Sequence, residues 1–211
     1  MVFDYSLAHW LTFFTAAFLL NLSPGPDMAY ILGQTIRGGV RSGFAAMFGI
    51  WSGAFIHVLL AALGLSAIVA TSVIAFSIVK YIGAFYLIYI GITALRSKSS
   101  KFTLPPKTST KSNLKIFKQG VLVATLNPKV AIFFLAFLPQ FVEVGAGPIS
   151  AQLFLHGFLI IVVAGFIEPP LVLMGNKLSN YLKSHTTISS WIDKGFGALL
   201  VGLGIELAVN D

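Results

Sequence analysis

An all-α integral membrane protein that crosses the bilayer six times is the fold class this sequence predicts. Three observations lead there. Of the 211 residues, 56% are hydrophobic and only 10% are charged, against about 25% charged in a soluble domain, and mean hydropathy is +0.88. Apolar runs recur at lengths of about 20 residues, which a helix needs to cross a hydrocarbon core ~30 Å thick. From Ser42 to Val79 there is no Asp, Glu, Lys or Arg. At 1.5 Å per residue that stretch would reach ~57 Å, too long for one crossing and right for two joined by a tight turn near residues 66–77.

Taken in order, the predicted spans are 7–36, 43–65, 73–95, 119–142, 149–174 and 191–207. The first is interrupted at Ser23-Pro24-Gly25-Pro26 and the fourth at Asn127-Pro128. Between the third and fourth lies the only long hydrophilic stretch, 96–118. It carries Arg96, Lys98, Lys101, Lys107, Lys111, Lys115 and Lys118 with no acidic residue, and Pro105-Pro106 and several Ser and Thr make it a flexible linker. The chain therefore divides into a three-helix half (1–95), a basic linker (96–118) and a second three-helix half (119–211).

Charge sets the expected orientation. Cytoplasmic loops are enriched in Lys and Arg. With 96–118 inside, every basic residue except Lys80 and Lys129 falls on the cytoplasmic side, twelve of the 14. Asp4, Glu143, Glu206 and Asp211 fall outside, so both termini are expected outside. The net charge of +7 is explained by this arrangement, and no nucleic-acid partner is expected. No cleavable signal peptide is expected either, because the first charge is Asp4 and the first apolar run is too long for a signal core.

Three is odd, so the second half enters the membrane opposite to the first, the geometry of an inverted repeat. Lys80, Gly83 and Ala84 at the third span match Lys194, Gly197 and Ala198 at the sixth, and the polar, proline-bearing interruptions fall in the first and fourth spans. Two broken spans in corresponding positions point to a transporter's central site. Proline removes a backbone donor and clashes with the preceding turn. In hydrocarbon the freed groups must be buried in protein or line a watery cavity.

The candidate site residues are therefore Asn21, Ser23, Pro24, Gly25, Pro26, Asp27, Asn127, Pro128 and Lys129. Asp27 falls in the first turn of a resumed helix, where free N–H groups and the dipole favour an anion. It could simply serve that helix start, or carry a proton, or pair with an ammonium group. Lys129 also falls in a first turn, where a cation opposes the dipole and needs an anionic partner, either Asp27 or a substrate carboxylate. Asn21, Ser23 and Asn127 could satisfy loose backbone groups or hold polar substrate atoms. Glu168, followed by Pro169-Pro170, is a second proton-coupling candidate, or could snorkel to the nearby interface. His57 and His156 lie alone in apolar spans and read as hydrogen-bonded packing. Ala45, Gly49 and Gly53 recur every four residues and allow close helix contact, within the chain or between two copies, so a homodimer is one expected partner beside membrane lipid. Trp10, Tyr81, Tyr86, Tyr89 and Trp191 suit interfacial belts.

There is no Cys, which excludes disulfide frameworks and thiolate metal sites. No zinc-ligand spacing, phosphate loop, nucleophile elbow or paired catalytic carboxylates appear, so neither an enzyme nor a bound cofactor or metal is expected. A secondary transporter is the leading reading. A passive channel, or an exporter of another small solute or cation, is the alternative.

The motifs carry a resemblance. Asn21-Leu-Ser-Pro-Gly-Pro-Asp27 with Arg37-Gly-Gly-Val-Arg41-Ser-Gly43, and the run from Asn127-Pro-Lys129 to Pro139-Gln140-Phe141-Val142, are similar to the two signatures of the LysE/RhtB amino-acid exporters. Gly83-Ala84-Phe85-Tyr86-Leu87 with Gly91 resembles a further stretch. The resemblance covers nearly the whole chain and implies proton- or potential-driven export across a bacterial inner membrane. The implied substrates are amino acids or close derivatives, with homoserine, its lactone and threonine in the RhtB-like branch.

Overall fold

In the computed structural model, residues 4–65 other than Pro24, and 112–177 other than Asn176, are described. Individual helical positions are also described within 78–96 and 191–209. The third and sixth predicted spans and the linker thus fall largely outside the described residues, as does Pro24. No strand occurs among the described residues.

Five helices carry the described fold: α1 (Leu7–Leu22), α2 (Pro26–Leu60), α3 (Asn113–Thr125), α4 (Pro128–Ile132) and α5 (Ile149–Leu173). A wide π turn, Ala61–Leu65, prolongs α2. A second π turn, Phe133–Phe137, and a tight turn, Leu138–Phe141, prolong α4. By length and composition, Pro26–Gly64 and Ile149–Leu173 could each cross a membrane, and Asn113–Thr125 with Lys129–Phe141, bent by 55°, could together form a third crossing.

Pro26–Gly64 is not straight. Gly39 has φ 74° and ψ −174°, a region open essentially to glycine alone. Contacts pair off symmetrically about it. A Cβ on Gly43 would lie against the Thr35 hydroxyl, Ile31 packs in one cluster with Met47, and Asp27 and Trp51 line one cavity. A straight helix would hold residues 35 and 43 about 12 Å apart. The chain therefore folds back at Gly39 into two antiparallel arms, 26–38 and 40–60. This reproduces the expected end of the first span and start of the second.

The ends of α1 and of the 26–38 arm are set by local chemistry. Ser6 caps α1, accepting from the His9 amide. Gly25 is extended and Pro26 opens the next helix at its first position, where a missing N–H costs nothing. The second half repeats the device: Asn127 caps α4, accepting from the Lys129 amide, and Pro128 stands at the first helical position. The linker ends earlier than expected. Helix α3 begins at Asn113 because Ser112 accepts from the Lys115 amide, and Lys115 and Lys118 are carried on its exposed side.

Packing fixes the direction of each element. Gly43 meets Val172 and Gly157 meets Val58, so the 40–60 arm and α5 are antiparallel. That arm runs parallel to α3. Gly49 lies against the Phe117 carbonyl and Gly120, and Gly53 against the Val121 carbonyl and Ala124. The glycine stripe is thus used inside the chain. Helix α1 starts beside Glu143 and His156, and the turns after Phe133 return to that end, where Phe141 meets His9. The 26–38 arm runs the other way, toward Gly43 and Gly175. Of the third and sixth spans, Gly91 lies against the backbone of Gly197 and Val201.

A core of Phe13, Ala17, Phe134, Phe137, Phe141 and Leu153 fills the histidine end. Outward, Leu11, Phe18, Phe85, Leu122 and Phe166 are exposed. Such a girdle suits acyl chains and would be a large unpartnered apolar surface in water.

Candidate functional site

The two helix breaks meet. Asn21, Ser23, Gly25 and Asp27 from the first break line one cavity of about 60 Å³ together with Lys129 from the second and Trp51, Phe134 and Glu168 from neighbouring helices. That volume holds a few ordered waters. Asn127 lies at its edge, 3% exposed.

Asn127 joins the two breaks. Its Oδ1 caps α4 by accepting from the Lys129 amide at 3.0 Å, and its Nδ2 donates to Asp27 Oδ2 at 2.9 Å. An Asp at 127 could cap equally well but could not donate. Asp27 Oδ1 is buried and takes no hydrogen bond among the described residues. Lys129 and His57 lie within electrostatic reach of Asp27.

Lys129 has a kind of partner that the sequence argument did not consider. Its ammonium donates to the carbonyls of Ser23 at 3.0 Å and Leu20 at 3.3 Å. These oxygens end α1, where carbonyls lack helical donors and the dipole is negative. The cation that opposes the start of α4 is thus held by the end of α1. Gly25 lies alongside it, where a Cβ would sit in ordinary contact, 3.5 Å from the ammonium. Asn21 likewise satisfies backbone, donating to the Ala17 and Ile160 carbonyls.

Glu168 does not snorkel. It is 7% exposed and accepts from Trp51 Nε1 at 2.6 Å, across 117 positions of sequence. Pro169 and Pro170 lie inside α5 and withdraw the donors that the carbonyls four residues earlier would use. Trp51 was missed in the sequence; only its pairing with Asp27 about Gly39 could have signalled it.

His57 behaves as expected, its Nε2 within 3.3 Å of the Ala124 and Thr125 carbonyls at the end of α3. His156 is not alone. Its Nε2 lies 2.8 Å from His9 Nε2, and Trp10, expected in an interfacial belt, stacks on it with centroids 5.4 Å apart. Among the described residues no group of three or more His, Cys, Asp or Glu is placed to hold a metal.

Apolar helices, two of them long and apolar enough to cross a membrane, thus fold around a pocket that gathers charges of both signs at two proline-opened helix starts. The chain belongs to the LysE type translocator family, which matches residues 18–211. Among its relatives, the leucine efflux protein of Salmonella choleraesuis (strain SC-B67) is 28% identical over 209 residues, 99% of this chain and 98% of the relative. The homoserine/homoserine lactone efflux protein of Salmonella typhi is 31% identical over 199 residues, 94% and 95% of the two chains. An uncharacterized membrane protein of Pseudomonas aeruginosa is 28% identical over 201 residues, 93% of each. No solved structure matches the chain.

Proposed function

We propose that this protein is a secondary exporter that carries amino acids or close derivatives out of the cytoplasm across a bacterial inner membrane, driven by protons or membrane potential, with both termini outside. The single observation that carries the reading is the meeting of Asp27 and Lys129, each in the first turn of a proline-opened helix, at one buried cavity. An amino-acid zwitterion needs an anion and a donor-rich positive site side by side. Asp27 Oδ1 would take the substrate ammonium. The uncapped N–H groups opening the 26–38 arm, with Lys129, would take the carboxylate. Met28, Ile50 and Ile161 form an apolar wall for a leucine-like side chain, while a homoserine hydroxyl would lie near Asn21 and Ser23. The names of the relatives make these the substrates to try first.

Proton coupling would use Asp27 or Glu168, which face the same cavity. Alternating access would rock two inverted halves. In support, α1, the 26–38 arm and the 40–60 arm run from the histidine end to the pocket, on to the Gly39 end and back. Elements α3, α4 with its turns, and α5 trace the same three steps in the opposite sense. A passive pore is disfavoured by the fully buried phenylalanines between the cavity and the histidine end.

Proton-driven uptake of an amino-acid panel into everted vesicles tests the reading. Asp27→Asn and Lys129→Ala should abolish uptake of the transported species; unchanged uptake by both variants, for every amino acid, would refute the site. Accumulation that survives an uncoupler and never exceeds the outside concentration would indicate a pore.

A further inference from the structure

At the opposite end of α1 from the pocket, about 18 Å away by helical rise, lies a second polar cluster. His9 Nδ1 is 2.8 Å from Glu143 Oε1, His9 Nε2 is 2.8 Å from His156 Nε2, and His156 Nδ1 is 2.9 Å from the Gln152 carbonyl oxygen. The cluster ties the start of α1 to α5 and to the connection after Phe141.

Counting protons decides its state. A carbonyl only accepts, so His156 Nδ1 carries a hydrogen and the neutral ring presents a lone pair at Nε2. His9 Nε2 must then donate, and its Nδ1 faces a carboxylate. One excess proton satisfies every contact: an imidazolium at His9 between Glu143 and a neutral His156. With no such proton two lone pairs oppose each other at 2.8 Å, and with a second proton on His156 two N–H groups do. The groups facing the pair are Glu143 and Tyr5, with Asp4 exposed beside them. Tyr5 stacks on His9 at 4.3 Å and donates to Gln152. Burial and the neighbouring Glu143 push its hydroxyl up from the usual range, so it stays a neutral donor.

Among the described residues, Phe13 and Ala17 on α1, Phe137 and Phe141 after α4, and Leu153 and Ile160 on α5 form one apolar, buried core between this cluster and the pocket. We propose that His9, His156 and Glu143 form a one-proton latch that shuts the pocket at this end, and that a second proton arriving from that side opens it. Its role in export rests on the reading above; the latch itself does not.

The absence of native cysteine provides the test. Ala164→Cys, in the cavity wall, is labelled with a membrane-impermeant maleimide, and its rate is divided by that of Val144→Cys, which is fully exposed beside Glu143. Lowering the pH on that side from about 7 to about 4, past the imidazole range, should raise the ratio about tenfold or more, the loss of one charge-assisted hydrogen bond. His156→Gln keeps an acceptor for His9 but binds no proton, so its ratio should stay low and flat. His9→Gln should give a high ratio at every pH. A flat ratio in the single reporter, or an acid rise that persists in His156→Gln, would overturn the latch; the single-reporter profile decides alone if either histidine variant fails to insert. Should Val144→Cys react only from the cytoplasmic side, the orientation proposed above fails, and the latch is judged with reagent added there. No substrate is needed, so loss of the export reading leaves the result intact.

Discussion

Replacing Gly39 by Ala isolates the conformation on which the pocket depends. A Cβ at this position would meet nothing within 4 Å, so the substitution adds no clash. It forces a side chain into φ 74°, ψ −174°, a conformation that costs a non-glycine residue of order 1–3 kcal/mol. At about 2–4 °C per kcal/mol for a chain of this size, the thermal midpoint of the detergent-solubilised protein should fall by about 2–12 °C. A second readout reports the fold directly. Thr35→Cys with Gly43→Cys should form a disulfide in the oxidised protein, because the arms meet there, whereas a disulfide cannot join Cα atoms more than about 7 Å apart. An unchanged midpoint in Gly39→Ala together with no cross-link would mean that 26–60 is one continuous helix. Asp27 and Trp51 would then lie about 36 Å apart by helical rise and could not share a cavity.

Gly53→Ala places a Cβ 2.6 Å from the Val121 carbonyl and 2.7 Å from Ala124 Cβ; with no room to yield, α2 and α3 must part at a cost of about 1–3 kcal/mol, read as a lower thermal midpoint. Asn127→Ala removes both the cap of α4 and the donor to Asp27; losing the cap costs about 0.5–2 kcal/mol and the orphaned acceptor about 1–3 more, so its midpoint should fall further than that of Gly53→Ala. Trp51→Phe keeps an aromatic ring at this position but removes the donor to Glu168; the loss of one buried hydrogen bond, about 0.5–1.5 kcal/mol, should lower the midpoint by about 1–6 °C, and an unchanged value would deny that the bond stabilises the fold.

Much of the described half-by-half layout is legible in the sequence because it follows from local chemistry. Prolines at 26 and 128 can only open helices, and Asn127 is a natural cap. The same reasoning recovers both breaks, the hairpin at residues 36–43 and the extent of α5. What it misses is tertiary. Lys129 is read as needing an anion because only charges show in a sequence; the carbonyls at the end of α1 that hold it are invisible there. Trp51 and Glu168 meet across 117 positions with no shared motif. His156 reads as solitary because its partner, His9, lies 147 positions away. The start of α3 at Asn113 is lost among lysines that read as linker, although Ser112 is a serviceable cap.

The central claim is that the two helix breaks build an amino-acid site, and Asp27→Asn tests it with little structural change, since the amide oxygen can still accept from Asn127. Scintillation-proximity binding of labelled leucine and homoserine to the purified protein should saturate for at least one of them. In Asp27→Asn the affinity for that ligand should drop by about ten- to a hundredfold, the worth of a hydrogen bond between opposite charges, while the thermal midpoint stays within a few degrees. Equal affinity in the two proteins would contradict the account.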